Sequence, residues 1–180
     1  MGWPDARTWG TTAQERALPF ACDRYVADAD EALFRAVTVA APAAVLFRWL
    51  CQLRVAPYSY DWIDNFGRRS PRQLTPGLDD LQIGQRVMTI FELVDFEVPR
   101  QLTLRTAPSR LFGRYAVTYA VISSTERRCR LVVKLLVALP RHALAFALRR
   151  VAPLADWFMM RKQLLTLKRL AERDALAHSP

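Results

Sequence analysis

The segment PYSYDWIDNFG, from Pro57 to Gly67, places two carboxylates among aromatic side chains in a chain of 180 residues. Asp61 and Asp64 are three residues apart, so in a short helix they share one face. Carboxyl groups held in a dry pocket acquire shifted pKa values and can act as general acids or bases. Asp61 and Asp64 are therefore candidate catalytic bases.

The same segment also has a purely structural interpretation. Pro57 stops the helix that precedes it, and Gly67 suits the end of a new, short helix. Trp62 and Ile63 can then pack inward and anchor a helical corner. The two interpretations differ in the direction that the carboxylates and the neighbouring tyrosines face.

Polar side chains in the later strands are further candidates for handling a ligand carbonyl or carboxylate. Tyr119 and Arg105 can each donate a hydrogen bond to such a group. For Tyr119 the alternative is core packing with a satisfied hydroxyl, and for Arg105 it is an exposed strand position. Asp95 shares the alternation of Phe91 and Leu93, which predicts that its side chain points inward.

The cysteines and histidines argue against a disulfide framework and against a metal centre. Cys22, Cys51 and Cys129 are odd in number and widely spaced, which predicts a reducing, cytoplasmic location. His142 and His178 are far apart and no CxxC pair occurs, so we expect no metal site and no cofactor. We expect Cys51 to pack as a small hydrophobe, and His142 to lie at the surface or at a helix start, with a general base as the alternative.

The net charge of +9 is concentrated in one part of the chain. Between Arg127 and Arg173 there are twelve basic residues against two acidic ones, a net charge of +10. This asymmetry predicts an anionic partner such as a membrane surface, with a solvated basic face as the alternative. Nucleic acid is a weaker match, because the alternation that carries Arg130 and Lys134 contains no aromatic side chain for stacking on bases.

The order of elements follows from periodicity. Residues 1 to about 30 have no steady period and are expected to wrap the domain as an extension. ALFRAVTVAAP predicts a strand, and PAAVLFRWLCQL predicts an amphipathic helix beginning at Pro42. Four strands with a period of two are then predicted in RVMTIFELVDFEV, RQLTLRTA, GRYAVTYAVISST and RCRLVVKLLVAL. One face of this sheet is expected to be apolar and the other partly solvated.

After Pro140 the pattern becomes helical, with a break predicted near Pro153 and a helix continuing to about Ala175. Apolar residues three or four apart form one wide stripe on this helix, which can cover the apolar face of the sheet. No apolar run reaches the roughly 18 residues that a membrane span requires.

The order of these segments resembles the START-like helix-grip superfamily, also called SRPBCC, which includes polyketide cyclase/dehydrase and lipid-transport proteins. The resemblance rests on RAVTVAAPAAVLFRWL (35–50), LQIGQRVM to FEV (81–98), QLTLR (101–105) and DWFMMRKQLLTLKRLAE (156–172). It implies an α+β helix-grip fold, in which a curved antiparallel sheet wraps a long C-terminal helix around an internal cavity. It also implies a single domain over residues 31–177.

The resemblance implies binding or transport of a hydrophobic small molecule, such as a lipid, polyketide or isoprenoid, in this cavity. Its expected lining is Trp49, Tyr60, Trp62, Phe91, Tyr115, Val117, Tyr119, Leu135, Trp157, Met160 and Leu164. One alternative is a polyketide cyclase/dehydratase-type enzyme that uses Asp61 or Asp64 as base and Tyr119 or Arg105 to polarise a carbonyl. A second alternative is a protein that binds a membrane surface or a partner through the basic C-terminal region.

Overall fold

The computed structural model describes residues 6–65, 67–107, 109, 113–140 and 143–177, with the side chains of the last helix described from Leu154 onwards. Within these ranges the chain forms an antiparallel sheet and a long C-terminal helix, which confirms the predicted α+β class. His142 lies outside the described residues, so its role stays a prediction.

The described strands form one curved antiparallel sheet in the order β1-β6-β5-β4-β3-β2. Consecutive strands pair from β2 to β6, and β1 closes the order by pairing with β6. The strands are β1 (Glu31–Val39), β2 (Arg86–Val87), β3 (Phe91–Glu97), β4 (Gln101–Thr106), β5 (Arg114–Thr125) and β6 (Arg128–Ala138).

The helices lie before, between and after the strands. Pro42, with φ of −57°, caps the helix that follows β1, as its restricted φ favours. The helices are α1 (Ala13–Arg16), α2 (Ala43–Cys51), α3 (Asp61–Asp64) and α4 (Ala143–Ala177), with 3₁₀ turns at Ala21–Arg24 and Gln52–Arg54.

The inner face of the sheet is buried beneath α2 and α4. Val117 and Val121 of β5 belong to the same buried cluster as Leu164 and Leu167 of α4. Cys51 of α2 is in this cluster too and is fully buried, which confirms that it packs as a small hydrophobe. The alternation of the strands and the apolar stripe of the helix therefore meet as expected.

Residues 20–26 cover part of the outer face of the sheet. Phe20 and Cys22 are buried in a second cluster that includes Val132 of β6. The backbone N–H of Cys22 donates to the Thr118 hydroxyl at 2.9 Å. The outer face is therefore partly solvated, as expected, and is covered at this segment because N-terminal residues without a steady period supply buried apolar side chains there.

Residues 7–9 lie along the outer edge of β1. The N–H of Phe34 donates to the carbonyl of Arg7 at 2.6 Å, and the N–H of Ala36 donates to the carbonyl of Trp9 at 3.0 Å. The N-terminal residues thus wrap the sheet. The division into an extension of residues 1–30 and a domain of residues 31–177 stays a prediction.

The segment RVMTIFELVDFEV, which was predicted as one strand, forms two strands, β2 and β3. The chain turns between β2 and β3 at residues 88–90, where Met88 and Thr89 have φ of 46° and 67°. These left-handed conformations are uncommon outside glycine, particularly for β-branched Thr89. No glycine or proline marks the turn in the sequence, which is why periodicity merged the two strands.

The predicted break near Pro153 is also wrong, because α4 is one helix of 35 residues that runs through this position. Proline in a helix interior removes one backbone hydrogen bond and crowds the preceding turn. In a helix of this length the remaining turns keep the element continuous.

Within the part of the chain that the structure describes, no helix combines the length and the apolar character needed to cross a membrane.

Gly10 tests how tightly the N-terminal residues are attached to β1. Its φ is +76°, and a Cβ there would lie 2.2 Å from the carbonyl oxygen of Ala36. We expect Gly10→Ala to cost about 1 to 2 kcal/mol for the left-handed conformation and at least about 1 kcal/mol more for the contact. Urea unfolding measures the loss.

Gly77→Ala is the matched control, because Gly77 has φ of +77° and no atom within 4 Å of the added Cβ. It should show the conformational cost alone. Equal losses in the two variants would mean that residues 7–10 do not pack on β1 in solution.

Candidate functional site

A cavity of about 370 Å³ lies between the inner face of the sheet and α4. This volume is within the usual range for small-molecule sites, about 300 to 1,000 Å³. Segments from the 57–64 corner, the turn at 88–90, the sheet and α4 each contribute to its wall. The lining residues are Pro57, Ser59, Ile63, Asp64, Met88, Thr89, Ile90, Phe91, Val117, Tyr119, Leu135, Asp156, Met159, Met160 and Gln163.

The wall of the cavity is predominantly apolar. Met88, Met159 and Met160 contribute unbranched, polarisable side chains, which adapt to ligands of irregular shape. Val117 and Leu135 come from adjacent strands and face each other across the β5–β6 pairing. Such a surface favours an apolar ligand over a polar one.

One polar group in the wall is the amide of Gln163, which is buried and fully engaged. The Tyr119 hydroxyl donates to Gln163 Oε1 at 2.8 Å, and Gln163 Nε2 donates to the carbonyl of Pro57 at 2.7 Å. Burial raises the pKa of Tyr119, so its hydroxyl stays protonated. Since that proton is directed at Gln163, Tyr119 can meet a ligand only as a hydrogen-bond acceptor in this arrangement.

A second polar group is Asp156 of α4. Its carboxylate is 2.7 Å from a guanidinium nitrogen of Arg35, whose side chain is only 1% exposed. Burial raises the pKa of Asp156 to about 6, although the charge of Arg35 opposes the shift. A carboxyl group with this pKa can exist in either protonation state close to neutral pH.

Asp64 is the third polar group. Its Oδ1 atom is buried and has no hydrogen-bond partner among the described residues. Burial raises the pKa of Asp64, the hydroxyl of Ser59 opposes the shift, and the charge of Asp61 adds to it. An unpartnered carboxyl oxygen in an apolar wall is a hydrogen-bonding position that a ligand can occupy.

The structure brings five of the predicted lining residues to this cavity. They are Phe91, Val117, Tyr119, Leu135 and Met160. All except Met160 come from strands of the sheet, where the alternation of side chains decides the face.

Three other predicted lining residues pack in or against the buried clusters and do not line the cavity. Trp49 is fully buried, with its indole N–H donating to Asp174 at 3.0 Å. Leu164 is fully buried in the main cluster, and Tyr115 packs beside a small cluster around Leu33. The same periodicity describes cavity and core, so the sequence could not separate them.

The remaining three face away from the cavity. Trp62 is 75% exposed, which also contradicts the expectation that it packs inward with Ile63, itself 47% exposed. Tyr60 stacks on Phe158, with ring centroids 4.5 Å apart. Trp157 lies on another face of α4, near the guanidinium of Arg161. Because α3 has a single turn, it does not form a continuous face that could be buried against the sheet.

The two candidate carboxylates of α3 are separated by the fold. Asp64 lines the apolar cavity, whereas Asp61 accepts hydrogen bonds from the Ser70 hydroxyl at 2.5 Å and the Ser70 backbone N–H at 2.9 Å. Asp61 lines a different, polar pocket. The two carboxylates therefore line different pockets, although they lie three residues apart in one turn of helix and the charge of Asp61 still raises the pKa of Asp64.

Arg105 and Asp95 lie on the outer face of the sheet. Arg105 is half exposed and pairs with Glu92 at 3.6 Å, which confirms the exposed alternative and removes it from the cavity. Asp95 pairs with Arg24 of the N-terminal segment. A shift in the β3–β4 register between Leu93 and Asp95 reverses the alternation, so the prediction of an inward Asp95 is wrong.

Comparisons with known proteins agree with this architecture. No family model matches the chain, and no curated protein matches it. Solved structures do. The Zhui aromatase/cyclase from Streptomyces sp. R1128 is 15% identical, with 79% of this chain and 94% of that chain covered and a TM-score of 0.51. A hypothetical protein from Helicobacter pylori is 15% identical, with 86% and 96% covered and a TM-score of 0.54. A protein from Arthrobacter aurescens is 11% identical, with 79% and 86% covered and a TM-score of 0.51.

The chain has a helix-grip fold. At these identities the likeness shows the fold alone, and the chemistry of the cavity has to be argued from its own residues.

Several residues that line this helix-grip cavity, or that support a lining residue, were missed by sequence reasoning. Asp156 and Gln163 are seven positions apart on α4 and therefore share a face with Met159 and Met160. The sequence signal that could have identified them is the spacing of seven residues, which places Asp156 and Gln163 on one face of the helix. Arg35 lies between Leu33 and Val37 in the alternation of β1, on the buried face of the strand. A charged side chain among apolar ones indicates that it has a buried partner of opposite charge.

The Gln163 amide provides a test of the cavity wall. Gln163→Leu leaves the Tyr119 hydroxyl and the Pro57 carbonyl without their partner, and we expect a loss of about 2 to 4 kcal/mol in the free energy of unfolding. Adding Tyr119→Phe removes one of these orphaned groups, so the double variant should be more stable than Gln163→Leu alone. Urea denaturation of the two variants and of Tyr119→Phe completes the cycle. Strictly additive losses would mean that the hydroxyl and the amide do not interact in solution.

Proposed function

We propose that this chain binds a hydrophobic small molecule in the cavity between the sheet and α4. The observation that carries the proposal is a predominantly apolar cavity of about 370 Å³ with a few inward polar groups. Apolar walls with sparse, convergent polar groups are typical of sites for small organic ligands.

The mouth of the cavity supports the same function. Ile63 and Ile90 line the cavity and are 47% and 66% exposed. They belong to α3 and to the turn between β2 and β3, so apolar side chains mark the path from solvent into the cavity. An apolar ligand can enter between these two segments while keeping contact with apolar surface.

The polar groups indicate what such a ligand carries. Asp64 has an unpartnered oxygen, and burial raises its pKa and that of Asp156. In its protonated form a carboxyl group donates a hydrogen bond to a carbonyl or hydroxyl oxygen. The ligand is therefore a largely apolar molecule with a neutral oxygen function, of the kind found in lipids, polyketides and isoprenoids.

Filling the cavity tests this function. In Leu135→Trp the indole occupies space in the cavity, and we expect binding of the neutral fluorescent probe N-phenyl-1-naphthylamine to weaken by about tenfold or more. Leu176→Trp is the matched control, because Leu176 is 76% exposed near the end of α4 and should leave binding unchanged. Fluorescence titration gives both dissociation constants. If the two variants bind the probe equally well, the probe site is elsewhere and the proposal fails.

An enzyme of the cyclase/dehydratase type is the second candidate, and the position of Asp64 favours it. A carboxylate in an apolar wall with a raised pKa has the properties of a general base for carbon acids. The Zhui aromatase/cyclase shares the fold. Of the residues predicted for this chemistry, Asp64 and Tyr119 lie at the cavity, whereas Asp61 and Arg105 do not.

Proton exchange tests the enzymatic candidate without knowledge of the substrate. If Asp64 is a base, the protein should accelerate exchange of the α-protons of 1-tetralone in D₂O, and Asp64→Asn should reduce the acceleration by about a hundredfold. The rate should rise as pH increases through the raised pKa of Asp64, because the base acts when deprotonated. NMR spectroscopy follows the exchange. Exchange no faster than in buffer, while N-phenyl-1-naphthylamine still binds, would leave ligand binding alone as the function.

A further inference from the structure

A second pocket lies on the other side of the 57–64 corner and has a different chemistry. Its volume is about 280 Å³, and it is formed by the corner, by the loop at residues 70–72 and by α4. Ser59 lines both this pocket and the apolar cavity. We call it the basic pocket, because it is lined by Arg72, Lys162, Arg169 and Arg173.

Three of its cations come from one face of α4. Lys162, Arg169 and Arg173 follow each other at seven and four positions, with Thr166 between the first two. This spacing stacks the side chains on successive turns along about 16 Å of helix. Arg72 reaches the pocket from the facing loop, so cations line it from two sides.

Among the described residues that line the basic pocket, Asp61 is the one with a carboxylate, and Asp174 lies nearby beside Arg173. The carboxylate of Asp61 is occupied by two hydrogen bonds from Ser70. Arg173 pairs with Asp174 at 2.6 Å. Arg72, Lys162 and Arg169 form no ion pair with any described residue. Four lining cations against one lining carboxylate leave the concave site with a net positive charge, which raises the local concentration of anions.

Tyr58 supplies the second, independent observation. Its side chain is 1% exposed and lines the basic pocket, and its hydroxyl has no hydrogen-bond partner among the described residues. The backbone at Tyr58 has φ of 55°, an uncommon conformation for a non-glycine residue. A buried hydroxyl without a partner is costly unless a ligand oxygen accepts its proton. An anion in the pocket would supply such an acceptor.

We propose that the basic pocket binds a phosphate or diphosphate group. Arginine side chains form paired, charge-assisted hydrogen bonds with phosphate oxygens, and lysine adds a point charge. Two arginines and a lysine without carboxylate partners suit a multiply charged tetrahedral anion better than a single carboxylate. The hydroxyl of Tyr58 provides a neutral donor for a remaining oxygen, whereas those of Ser59 and Thr166 already donate to the carbonyls of Met159 and Lys162.

The surface next to the basic pocket indicates that the phosphate is attached to an organic group. Tyr60 and Phe158 stack in parallel there, with an interplanar angle of 3°, and Phe158 is 50% exposed. Lys162, Thr166 and Arg169 line both the basic pocket and this aromatic surface. A phosphate ester can therefore place its anionic end among the cations and its organic part on the rings.

Binding of inorganic phosphate and pyrophosphate at constant ionic strength tests the proposal by isothermal titration calorimetry. We expect saturable binding at one site. Arg72→Gln combined with Arg169→Gln should weaken it by about tenfold or more, because two charge-assisted contacts are lost. Arg127→Gln combined with Arg128→Gln is the control: it removes the same charge from the exposed β5–β6 turn and should leave binding nearly unchanged.

Tyr58→Phe separates a ligand contact from general attraction. We expect it to weaken pyrophosphate binding by about threefold or more, and to leave the unliganded protein as stable as before or more so, because the buried hydroxyl has no partner there. Unchanged pyrophosphate binding in this variant would remove Tyr58 from the site. An equal loss in the two double variants would overturn the site as a whole, because binding would then follow net charge.

The source of the phosphate is decided by a second set of measurements. Sedimentation with vesicles of phosphatidylcholine, with and without phosphatidic acid, tests a lipid headgroup. Binding to the phosphatidic acid vesicles alone that is lost in the arginine double variant assigns the pocket to a headgroup, and binding of the free anions assigns it to a soluble phosphate ester. If neither is bound, the proposal is wrong. Tighter binding of a single-stranded oligonucleotide than of pyrophosphate would also overturn it, in favour of nucleic acid.

The proposals for the basic pocket and for the apolar cavity can be tested independently of each other. The arginine double variant should leave N-phenyl-1-naphthylamine binding unchanged, because Arg72 and Arg169 do not line the cavity. Leu135→Trp should likewise leave pyrophosphate binding unchanged, because Leu135 does not line the basic pocket.

Discussion

The side chain of Gln163 joins the three parts of the chain that form the ligand cavity. It accepts a hydrogen bond from Tyr119 of β5 and donates one to Pro57, at the start of the corner that leads into α3. Both contacts are buried, where unsatisfied polar groups are costly. Sheet, helix and corner are thus held at fixed distances from one another by one amide. The cavity and the basic pocket lie on opposite sides of this junction.

Because of this arrangement, α4 serves two chemically different sites. The face that carries Asp156, Met160 and Gln163 closes the apolar cavity, and the face that carries Lys162 and Arg169 borders the basic pocket. Neighbouring positions on a helix differ by about 100° in direction, so adjacent residues such as Lys162 and Gln163 enter separate environments. The positive charge of the C-terminal region is therefore partly built into a concave site rather than spread evenly over a solvated face.

The architecture could be predicted because it depends on periodicity, whereas the site depends on details that periodicity does not contain. The alternation in β5 and β6 agrees with the structure, and so does the part of the α4 stripe that contains Leu164 and Leu167. The prediction that Asp95 points inward was wrong because of one register shift in β3. Such a shift reverses the face to which a side chain points without changing the composition of the strand. The turn at Met88 and Thr89 has left-handed residues that are not glycine, so no sequence signal marked this part of the cavity wall.

The candidate site was predicted least well where a short element decides direction. Phe91, Val117 and Leu135 stand on regular strands and reach the cavity, whereas Trp62 stands on a one-turn helix and is exposed. Arg35 and Asp156 come from opposite ends of the chain and meet only in the folded protein. A pair of this kind cannot be read from local pattern, although each residue is unusual in its own surroundings.

The two edges of the sheet are closed in different ways, and this affects how the protein behaves at high concentration. Along β1, the carbonyls of Arg7 and Trp9 occupy N–H groups that would otherwise face outward. At the opposite edge β2 has only two residues, Arg86 and Val87, and one of them is charged. Exposed edge strands are the usual template for pairing between molecules, and a covered edge or a very short, charged one blocks it. The N-terminal residues thus also protect the sheet from edge-to-edge aggregation.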